Sequence, residues 1–249
     1  MPSSSSANSL FQDLRAGKAS LKIASRSSAL AKAQVYECVD LLKKHYPALR
    51  FELITTTTKG DRDKKTSLRL VENSNFFTKD VDDLVSQGKC HIAIHSAKDL
   101  PAISNLPIVA ITQSLHPADL LIYANRHEGY PPPSLNLRLG SSSIRRAETL
   151  KKLFPLGQVL DIRGTIEERL QQLEDGKYDA IVLAKAAALR LHLTFSCSQE
   201  LPPPYHPLQG CLAITARYSL DLWTSFLSPL HNTYYSNLFL KKIVLNISN

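Results

Sequence analysis

Short apolar runs alternate regularly with amphipathic stretches along this sequence, and this pattern restricts the folds that the chain can adopt. LKIAS (21–25) is followed by residues whose apolar positions recur at helical spacing. The same order of strand and then helix returns at FELITTTT (51–58), and HIAIHS (91–96) and PIVAIT (107–112) follow as further short apolar runs. Strands that alternate with helices predict an α/β fold, with a mostly parallel sheet and helices on its faces.

The second half of the chain follows the order of the first. LRLGSSSIRRAETLKKL (137–153) has the strand, serine turn, arginine and helix of LKIASRSSALAKAQ (21–34), and DAIVLAKAAAL (179–189) parallels HIAIHSAKDL (91–100). Two matches in the same order predict two related lobes with a crevice between them. The alternative is that any two strand-helix units look alike.

Two proline-rich segments mark where the chain is expected to cross between the lobes. HEGYPPPSLN (127–136) is predicted to be a surface loop, and LPPPYHPLQG (201–210) precedes a last apolar run, CLAITARY (211–218). If that run returns to the first lobe, two crossings join the lobes, as in hinged proteins that close on a ligand. The predicted organisation is a disordered tail, a discontinuous first domain and a second domain, at residues 1–18, 19–115 plus 210–222, and 116–209.

Several classes of protein are disfavoured by the sequence. No apolar run reaches the roughly 18 residues that span a bilayer, and the serine-rich start MPSSSSANSLFQDL does not resemble a secretory signal. The four cysteines, Cys38, Cys90, Cys197 and Cys211, form no CxxC pair, which argues against a disulfide framework and a zinc site. We therefore expect a soluble protein of the reducing cytoplasm, without a membrane partner.

The formal net charge of +8 calls for an acidic partner. The basic residues fall singly or in pairs at the ends of predicted strands, rather than along one face or among aromatic residues. That distribution favours a pocket for a small polyanion and argues against nucleic-acid binding.

A pair of arginines lies at the start of one predicted helix. In GSSSIRRAETLKKL, Ser143 is the predicted N-cap, which places Arg145 and Arg146 in the first turn. Cations are unfavourable at this positively polarised end unless an anion binds there. We therefore predict an anion site, with a solvated arginine pair as the alternative.

A second candidate anion site lies in DIRGTIEERL (161–170). Thr165 and Glu168 are spaced as a capping box, Arg163 and Gly164 directly precede it, and Arg169 projects from the same helix. An arginine in a strand-to-helix turn, beside a glycine that permits close approach, suits a carboxylate or phosphate. A surface salt bridge to a glutamate of the helix is equally compatible with the pattern.

Two opposite charges follow a buried strand in IAIHSAKDLPA (92–102). Lys98 and Asp99 stand beside each other there, and Arg26 and Ser28 occupy the corresponding turn after LKIAS. Among so many cations, the Asp99 carboxylate is expected to stay ionised and to stabilise positive charge or exchange a proton with a basic substrate group. A salt bridge or a helix cap is the structural alternative for Asp99.

Other chemistry has no support in the sequence. His91 and His95 flank one strand, but no third ligand stands at a spacing that suits a metal. The sequence contains no P-loop, GxGxxG or GxSxG motif, so nucleotide binding and serine hydrolysis are not indicated.

Seven motifs occur in order over roughly residues 21–217, and together they resemble the porphobilinogen deaminase family, also called hydroxymethylbilane synthase. They are LKIASRSSALAKAQ, TTKGD, FFTKDVDDL, IAIHSAKDLPA, GSSSIRRAETL, IRGTIEERL and YDAIVLAKAAALRL. The resemblance implies a transferase of haem biosynthesis that joins four porphobilinogens into the linear tetrapyrrole hydroxymethylbilane and releases ammonia at each step. It also implies a dipyrromethane cofactor, porphobilinogen and oligopyrrole polycarboxylates as ligands, and a cytoplasmic monomer with two periplasmic-binding-protein-like lobes, a hinge and a crevice.

The resemblance also assigns roles to residues. Asp99 would be the catalytic carboxylate, which helps the aminomethyl group leave and stabilises cationic pyrrole intermediates. The residues expected to hold the cofactor are Lys98, Ser143, Arg145, Arg146 and Arg169. Those expected to hold the substrate or growing chain are Arg26, Ser28, Arg163, Arg169 and Arg190.

Two segments depart from the family pattern. RLVENSN (69–75) replaces a mobile loop rich in glycine and lysine, and residues 223–249 resemble only the start of a third domain whose cysteine binds the cofactor. The third domain is therefore expected to be largely missing. Three alternatives follow: a primer held without the usual bond, attachment at another cysteine such as Cys211, or a non-catalytic two-lobe protein that binds pyrrole polycarboxylates.

Overall fold

The structure is a computed structural model that describes residues 4–67, 74–101, 103–125 and 135–247. Most of the two predicted loops at 69–75 and 127–136 lies outside these residues. The chain divides into two compact units. Unit 1 comprises Met1–Lys59, Asn73–Leu115 and Gly210–Asn249, and unit 2 comprises Gly60–Glu72 and His116–Gln209. The sequence-based first domain had included residues 60–72, which group with unit 2.

Unit 1 is built on a five-stranded sheet with the strand order β2-β1-β3-β10-β4. The bounds are Ser20–Arg26 for β1, Arg50–Thr56 for β2, Ile92–Ser96 for β3, Ile108–Ile111 for β4 and Leu212–Ala216 for β10. β1 is parallel to β2 and β3, whereas β10 lies antiparallel between β3 and β4. The last strand therefore returns to the first sheet, as predicted. It runs opposite to the other four strands, so the sheet is mostly parallel, as predicted, with one antiparallel strand inserted.

Several helices of unit 1 pack their apolar faces against this sheet. Val35, Cys38 and Leu42 recur at helical spacing on one of them and are almost fully buried, as the periodicity predicted. The helices are α1 (Ser4–Arg15), α2 (Ala29–His45), α3 (Lys59–Arg62), α4 (Lys79–Ser86), α8 (Leu220–Phe226) and α9 (Thr233–Ile247); the first residue of α3 is in unit 1 and the rest in unit 2.

Unit 2 has a second five-stranded sheet, in the order β7-β6-β8-β5-β9. Its strands are β5 (Asp119–Tyr123), β6 (Arg138–Gly140), β7 (Gln158–Leu160), β8 (Ala180–Ala184) and β9 (Ser198–Glu200). β6 is parallel to β7 and β8, and β5 is antiparallel to β8 and β9. The helices are α5 (Ile144–Leu153), α6 (Ile166–Glu174) and α7 (Lys185–Arg190).

The two sheets confirm the internal repeat. β1 and β6, matched by sequence, are each second in their sheet, and β3 and β8 are each third. The fourth strand in each sheet, β10 or β5, is antiparallel to the third. Matching strands therefore end at the same edge of their own sheet, which is the edge that carries most of the predicted site residues.

The N-terminal segment was predicted to be a disordered tail, and this prediction is wrong: residues 4–15 form a helix. Phe11 and Leu14 are buried, and the Phe11 ring packs edge-on against Trp223 and Phe226 with centroids 4.6 and 5.7 Å apart. The serine-rich start concealed two apolar residues three positions apart, which lie on one helical face.

The C-terminal segment, which the resemblance describes as the remnant of a third domain, groups with unit 1. Trp223, Phe226, Leu230 and Phe239 are buried, and the first three belong to the core of unit 1. The described part of this segment is thus integral to unit 1. Among the residues that the structure describes, no helix is long and apolar enough to cross a membrane.

Candidate functional site

The predicted catalytic turn lies at the carboxyl edge of the unit 1 sheet. Arg26 ends β1, and a 3-10 helix at Ala97–Asp99 follows the neighbouring parallel strand β3. Two contacts fix this turn: Gln34 on α2 donates from Nε2 to Ser96 Oγ at 2.8 Å, and the Ala97 amide donates to the carbonyl of Cys211 at 3.0 Å. The turn is therefore attached both to a helix and to the returning chain.

Asp99 is half-buried in this turn. Among the residues that the structure describes, its carboxylate forms no hydrogen bond and no ion pair, so neither the salt bridge nor the helix cap considered above occupies it. A half-buried acid without a protein partner can accept protons or hydrogen bonds from a ligand. Lys98 and Asp99 both belong to this short helix.

A buried polar network lies on the strand that leads to this turn. His95 Nε2 is 2.9 Å from Asp82 Oδ1, and the hydroxyl of Thr215 donates to the same oxygen at 3.0 Å. All three side chains are buried. Because they belong to β3, α4 and β10, the network connects three elements close to the predicted catalytic turn. No cluster of three or more metal-ligating side chains occurs in the described part of the chain.

Arg26 and Ser28 have identifiable local contacts. The Arg26 guanidinium carbon lies 4.5 Å from the centroid of the Phe77 ring, a cation–π distance. Ser28 is the N-cap of α2, and its hydroxyl accepts a hydrogen bond from the amide of Ala31 at 3.3 Å. The position of Ser28 is thus explained by helix capping.

The carboxyl edge of the unit 2 sheet carries the arginine pair. Ser143 is the N-cap residue of α5, as predicted, although its side chain forms no capping bond. Arg145 and Arg146 occupy the first turn, and both bind the buried carboxylate of Asp119 at the start of β5. The two arginines are therefore not simply a solvated pair.

Asp119 is the centre of this charge cluster. Its Oδ2 accepts from Arg145 Nη2 at 2.6 Å, and its Oδ1 accepts from Arg146 Nε at 2.9 Å and Nη2 at 2.5 Å. Burial raises the pKa of this carboxyl, but the charges and hydrogen bonds of the two guanidiniums outweigh burial and lower it to about 2. One carboxylate with two guanidiniums leaves the cluster with a net positive charge.

Gln209 completes the cluster from the far end of unit 2. Its Nε2 lies 2.8 Å from Asp119 Oδ1, 2.7 Å from the carbonyl oxygen of Pro117 and 3.0 Å from that of Ala118, while its Oε1 accepts from Arg146 at 3.2 Å. The side chain is buried. Gln209 therefore joins the first and last segments of residues 116–209.

The second predicted anion site is occupied by the chain itself. Arg163 donates from Nη2 to the carbonyl oxygens of Gly60 at 3.2 Å and Asp63 at 2.5 Å. Hydrogen bonds from Thr66 are the main cause that lowers the pKa of Asp63 to about 2. The Lys65 amide and the Arg163 charge lower the pKa further, and burial opposes them slightly. The segment that follows β2 is thus fixed on the residues that precede α6.

The capping box that the sequence predicted on α6 is present. Thr165 accepts from the amide of Glu168, and Glu168 Oε2 accepts from the amide of Thr165 at 2.8 Å. Gly164 has φ +108°, and a Cβ there would lie 2.6 Å from Glu168 Oε2. The positive φ and the close approach of Glu168 both require a glycine at position 164. The carbonyl oxygen of Gly164 accepts a hydrogen bond from Arg169 Nε at 2.9 Å.

The remaining predicted residues are at less informative positions. Arg190 is the last residue of α7 and is half-buried. The four cysteines are all buried, and Cys211 is only 1% exposed directly before β10. The Cys211 backbone adjoins the Asp99 turn, but its thiol is enclosed in the fold.

Two groups that organise these sites were not predicted from the sequence. Asp119 is the first residue of the apolar run DLLIY (119–123). The sequence signal for its role was an acidic residue that follows a proline and begins a buried strand. Asp82 and Thr215 carried no local signal, because their contact with His95 joins residues far apart in sequence.

Comparison with known proteins gives one consistent family. The sequence model described as "Porphobilinogen deaminase, dipyromethane cofactor binding domain" matches residues 21–222. A protein of Chlamydia pneumoniae named "Probable porphobilinogen deaminase" is 62% identical over 89% of this chain and 94% of its own length. The relative named "Porphobilinogen deaminase" from Xanthomonas axonopodis pv. citri is 36% identical over 79% of this chain and 66% of its own length.

Solved structures share the fold at low sequence identity. Full-length CbnR, crystallised with its target DNA, matches with a TM-score of 0.53 at 9% identity, over 91% of this chain and 72% of that chain. An ancestral cationic amino-acid solute-binding protein matches with a TM-score of 0.49 at 12% identity, over 93% of this chain and 98% of that chain. Because the sequence identity to CbnR is only 9%, that match informs on fold alone.

Proposed function

The chain belongs to the porphobilinogen deaminase family, and on this basis we propose that it condenses four porphobilinogens stepwise into hydroxymethylbilane. In each step the carbon–nitrogen bond of an aminomethyl group breaks, ammonia leaves, a carbon–carbon bond forms to the next pyrrole, and that pyrrole loses a proton. Release of the finished tetrapyrrole consumes one water molecule, which supplies the hydroxyl group of hydroxymethylbilane. The observation that carries the proposal is the placement of Asp99 at the carboxyl edge of the sheet, without a partner among the described residues.

The role of Asp99 follows from the charge that this reaction develops. Loss of ammonia leaves a cation delocalised over the pyrrole ring and nitrogen, and a carboxylate close to that nitrogen stabilises it electrostatically. The same carboxylate can accept a hydrogen bond from the pyrrole N–H and, after the new bond forms, receive the proton that the ring loses. Its half-buried position strengthens these interactions relative to water.

Lys98 and the arginines would neutralise and orient the acidic side chains of the ligands. Each pyrrole of the substrate and product bears an acetate and a propionate, so the growing chain is a polyanion. Arg26 and Lys98 in unit 1, with Arg145 and Arg169 in unit 2, are the cations that we assign to these carboxylates. Arg163 and Arg190 remain candidates for the growing chain, and Arg163 would have to exchange its present carbonyl acceptors for ligand carboxylates.

The residues present fit the carboxylates of a dipyrromethane cofactor. A guanidinium has five N–H donors, and Arg145 uses two of them, on Asp119 and Pro204, within the described residues. Its side chain is 25% exposed and lies in the first turn of α5, so Arg145 can bind a carboxylate there. When bound, the cofactor supplies the pyrrole carbon to which the first new unit is joined.

Product formation tests this proposal. The purified chain is incubated with porphobilinogen, with and without added dipyrromethane, and linear tetrapyrrole is measured by chromatography. We expect turnover by the wild type, a loss of about 100-fold or more in Asp99→Ala, and no change in Asp40→Ala, which removes an exposed carboxylate of α2. The proposal fails if the wild type forms no tetrapyrrole under either condition.

A second function is favoured by the burial of all four cysteines. Without an exposed thiol, the chain would bind pyrrole polycarboxylates reversibly and would not extend them. The intact mass of protein from cells that make the cofactor separates the alternatives. A dipyrromethane-sized adduct on one cysteine favours the enzyme, whereas an unmodified mass with saturable binding and no turnover favours the binding protein.

We further propose that the chain acts as a cytoplasmic monomer. The scattered, buried cysteines fit a reducing compartment. Light scattering of the purified protein at micromolar concentration tests the monomer directly, and a mass of twice 27.7 kDa would refute it.

A further inference from the structure

The two neighbouring arginines of α5 differ in burial and in partners. The Arg146 side chain is 11% exposed, and within the described residues it donates hydrogen bonds to Asp119 and Gln209. The Arg145 side chain is 25% exposed, and it donates one bond to Asp119 and one to the carbonyl of Pro204, at 2.9 Å. Arg145 thus retains three N–H donors without an acceptor in the described residues.

Asp119 fixes the geometry of both guanidiniums. Its two carboxylate oxygens are divided between them, with Oδ2 on Arg145 and Oδ1 on Arg146 and Gln209. An arginine that a buried carboxylate already orients loses less side-chain entropy when it binds a ligand. The carboxylate also neutralises one of the two cations, so their repulsion does not drive them apart.

Gln209 in turn fixes Asp119. Its amide bonds to the Asp119 carboxylate and to two backbone carbonyls directly before it, at Pro117 and Ala118. Both side chains are 1% exposed. A buried carboxylate with this many partners has one favoured position, and it transmits that position to Arg145.

From these contacts we propose that Asp119 and Gln209 are positioning residues, which hold Arg146 as a structural counter-ion and present Arg145 to a ligand carboxylate. The inference deepens the proposed function, on which the identity of the ligand rests. It assigns different roles to two arginines that the sequence treats as equivalent, and it adds two residues that the motif does not contain.

A double-mutant cycle tests whether Asp119 acts through Arg145. The dissociation constant for a dipyrromethane with acetate and propionate side chains is measured by calorimetry for wild type, Asp119→Asn, Arg145→Gln and the double variant. We expect each single change to weaken binding about tenfold or more. Since Asp119 acts through Arg145, the second change should add less than about threefold. Wild-type affinity in Asp119→Asn, or independent effects that multiply, would overturn the proposal.

A matched control lies in the same unit. Asp179 binds Arg138 with two hydrogen bonds of 3.1 Å and is also close to a strand end. Asp179→Asn should leave dipyrromethane affinity within about twofold of wild type. If Asp179→Asn weakens binding as much as Asp119→Asn does, the effect is a general loss of structure and the assignment to Asp119 is wrong.

A second variant covers the possibility that Asp119→Asn does not fold. Gln209→Met removes the side-chain amide and retains the charges of the cluster. In the cycle of Gln209→Met with Arg145→Gln, the loss of affinity in the double variant should therefore again be much smaller than the product of the two single losses. Thermal unfolding of each variant identifies those that are folded. Multiplicative effects in this cycle would contradict the proposal.

Arginine labelling separates failure of this inference from failure of the proposed function. If the wild type binds no dipyrromethane, the proposed function is refuted, and a dicarbonyl reagent with peptide mapping tests the arrangement without any ligand. We expect Arg145 to react at least tenfold faster than Arg146, and its rate to rise at least threefold in Asp119→Asn because the carboxylate that holds the Arg145 guanidinium is removed. Equal rates for the two arginines, or no change in the variant, would overturn the positioning roles.

Discussion

Among single residues, Asp119 is expected to make the stability of the fold depend on pH. Its pKa falls from 3.8 in the unfolded chain to about 2 in the folded protein. The stability from this depressed acid is therefore fully present above about pH 4 and is lost as the pH falls through 2. The difference corresponds to about 2 kcal/mol. Carbon-13 NMR of the Asp119 carboxyl group should give a midpoint close to pH 2, and a midpoint near 3.8 would contradict the buried ion cluster.

A backbone prediction concerns Gly164. Its φ of +108° and the 2.6 Å approach of a Cβ to Glu168 Oε2 mean that Gly164→Ala both strains the backbone and disrupts the capping box. We expect a loss of about 2–4 kcal/mol in the free energy of unfolding by urea.

Gly88→Ala is the matched control for Gly164→Ala. Gly88 also has a positive φ, of +74°, but a Cβ there would meet no atom within 4 Å. It should cost about 1 kcal/mol, from the left-handed conformation alone. Equal losses in the two variants would show that the contact with Glu168 is unimportant.

At the scale of secondary-structure elements, periodicity and capping motifs were reliable where they were local. The sequence predicted the apolar face of α2, the capping box of α6 and the positions of β1, β3, β6 and β8, all of which the structure confirms. The prediction was wrong for α1, because the serine-rich composition indicated disorder and the two apolar residues of its buried face were not taken into account. It also missed the insertion of β10 between β3 and β4, since strand order depends on pairings between distant residues.

The helix α1 supplies a prediction at this scale. Phe11 packs against Trp223, the single tryptophan of the chain, so Phe11→Ala should cost about 3–5 kcal/mol and shift tryptophan fluorescence toward that of an exposed indole. Gln12→Ala changes an exposed residue of the same helix and should leave both properties unchanged. An unaltered stability and spectrum in Phe11→Ala would mean that α1 is detached from unit 1.

At the scale of the whole molecule, the two sheets share one topology, and most of the predicted site residues follow the carboxyl ends of their parallel strands. The sequence located these residues because cations and one acid interrupt otherwise apolar strand ends. It could not assign their partners. The sequence predicted that Arg145, Arg146 and Arg163 bind an anionic ligand. Each of them instead donates to a carboxylate or carbonyl oxygen of the chain itself. These acceptors are distant in sequence, so the spacing of residues does not reveal them.

In the proposed reaction, Asp99 promotes loss of ammonia from porphobilinogen. The most direct measurement is the rate of ammonia release in a single turnover, with porphobilinogen affinity measured separately, for wild type and Asp99→Asn. We predict that Asp99→Asn binds porphobilinogen within about threefold of wild type but releases ammonia at least about 100-fold more slowly, because the carboxylate acts on the charge that develops during the reaction. Ammonia release at the wild-type rate from Asp99→Asn would contradict this account.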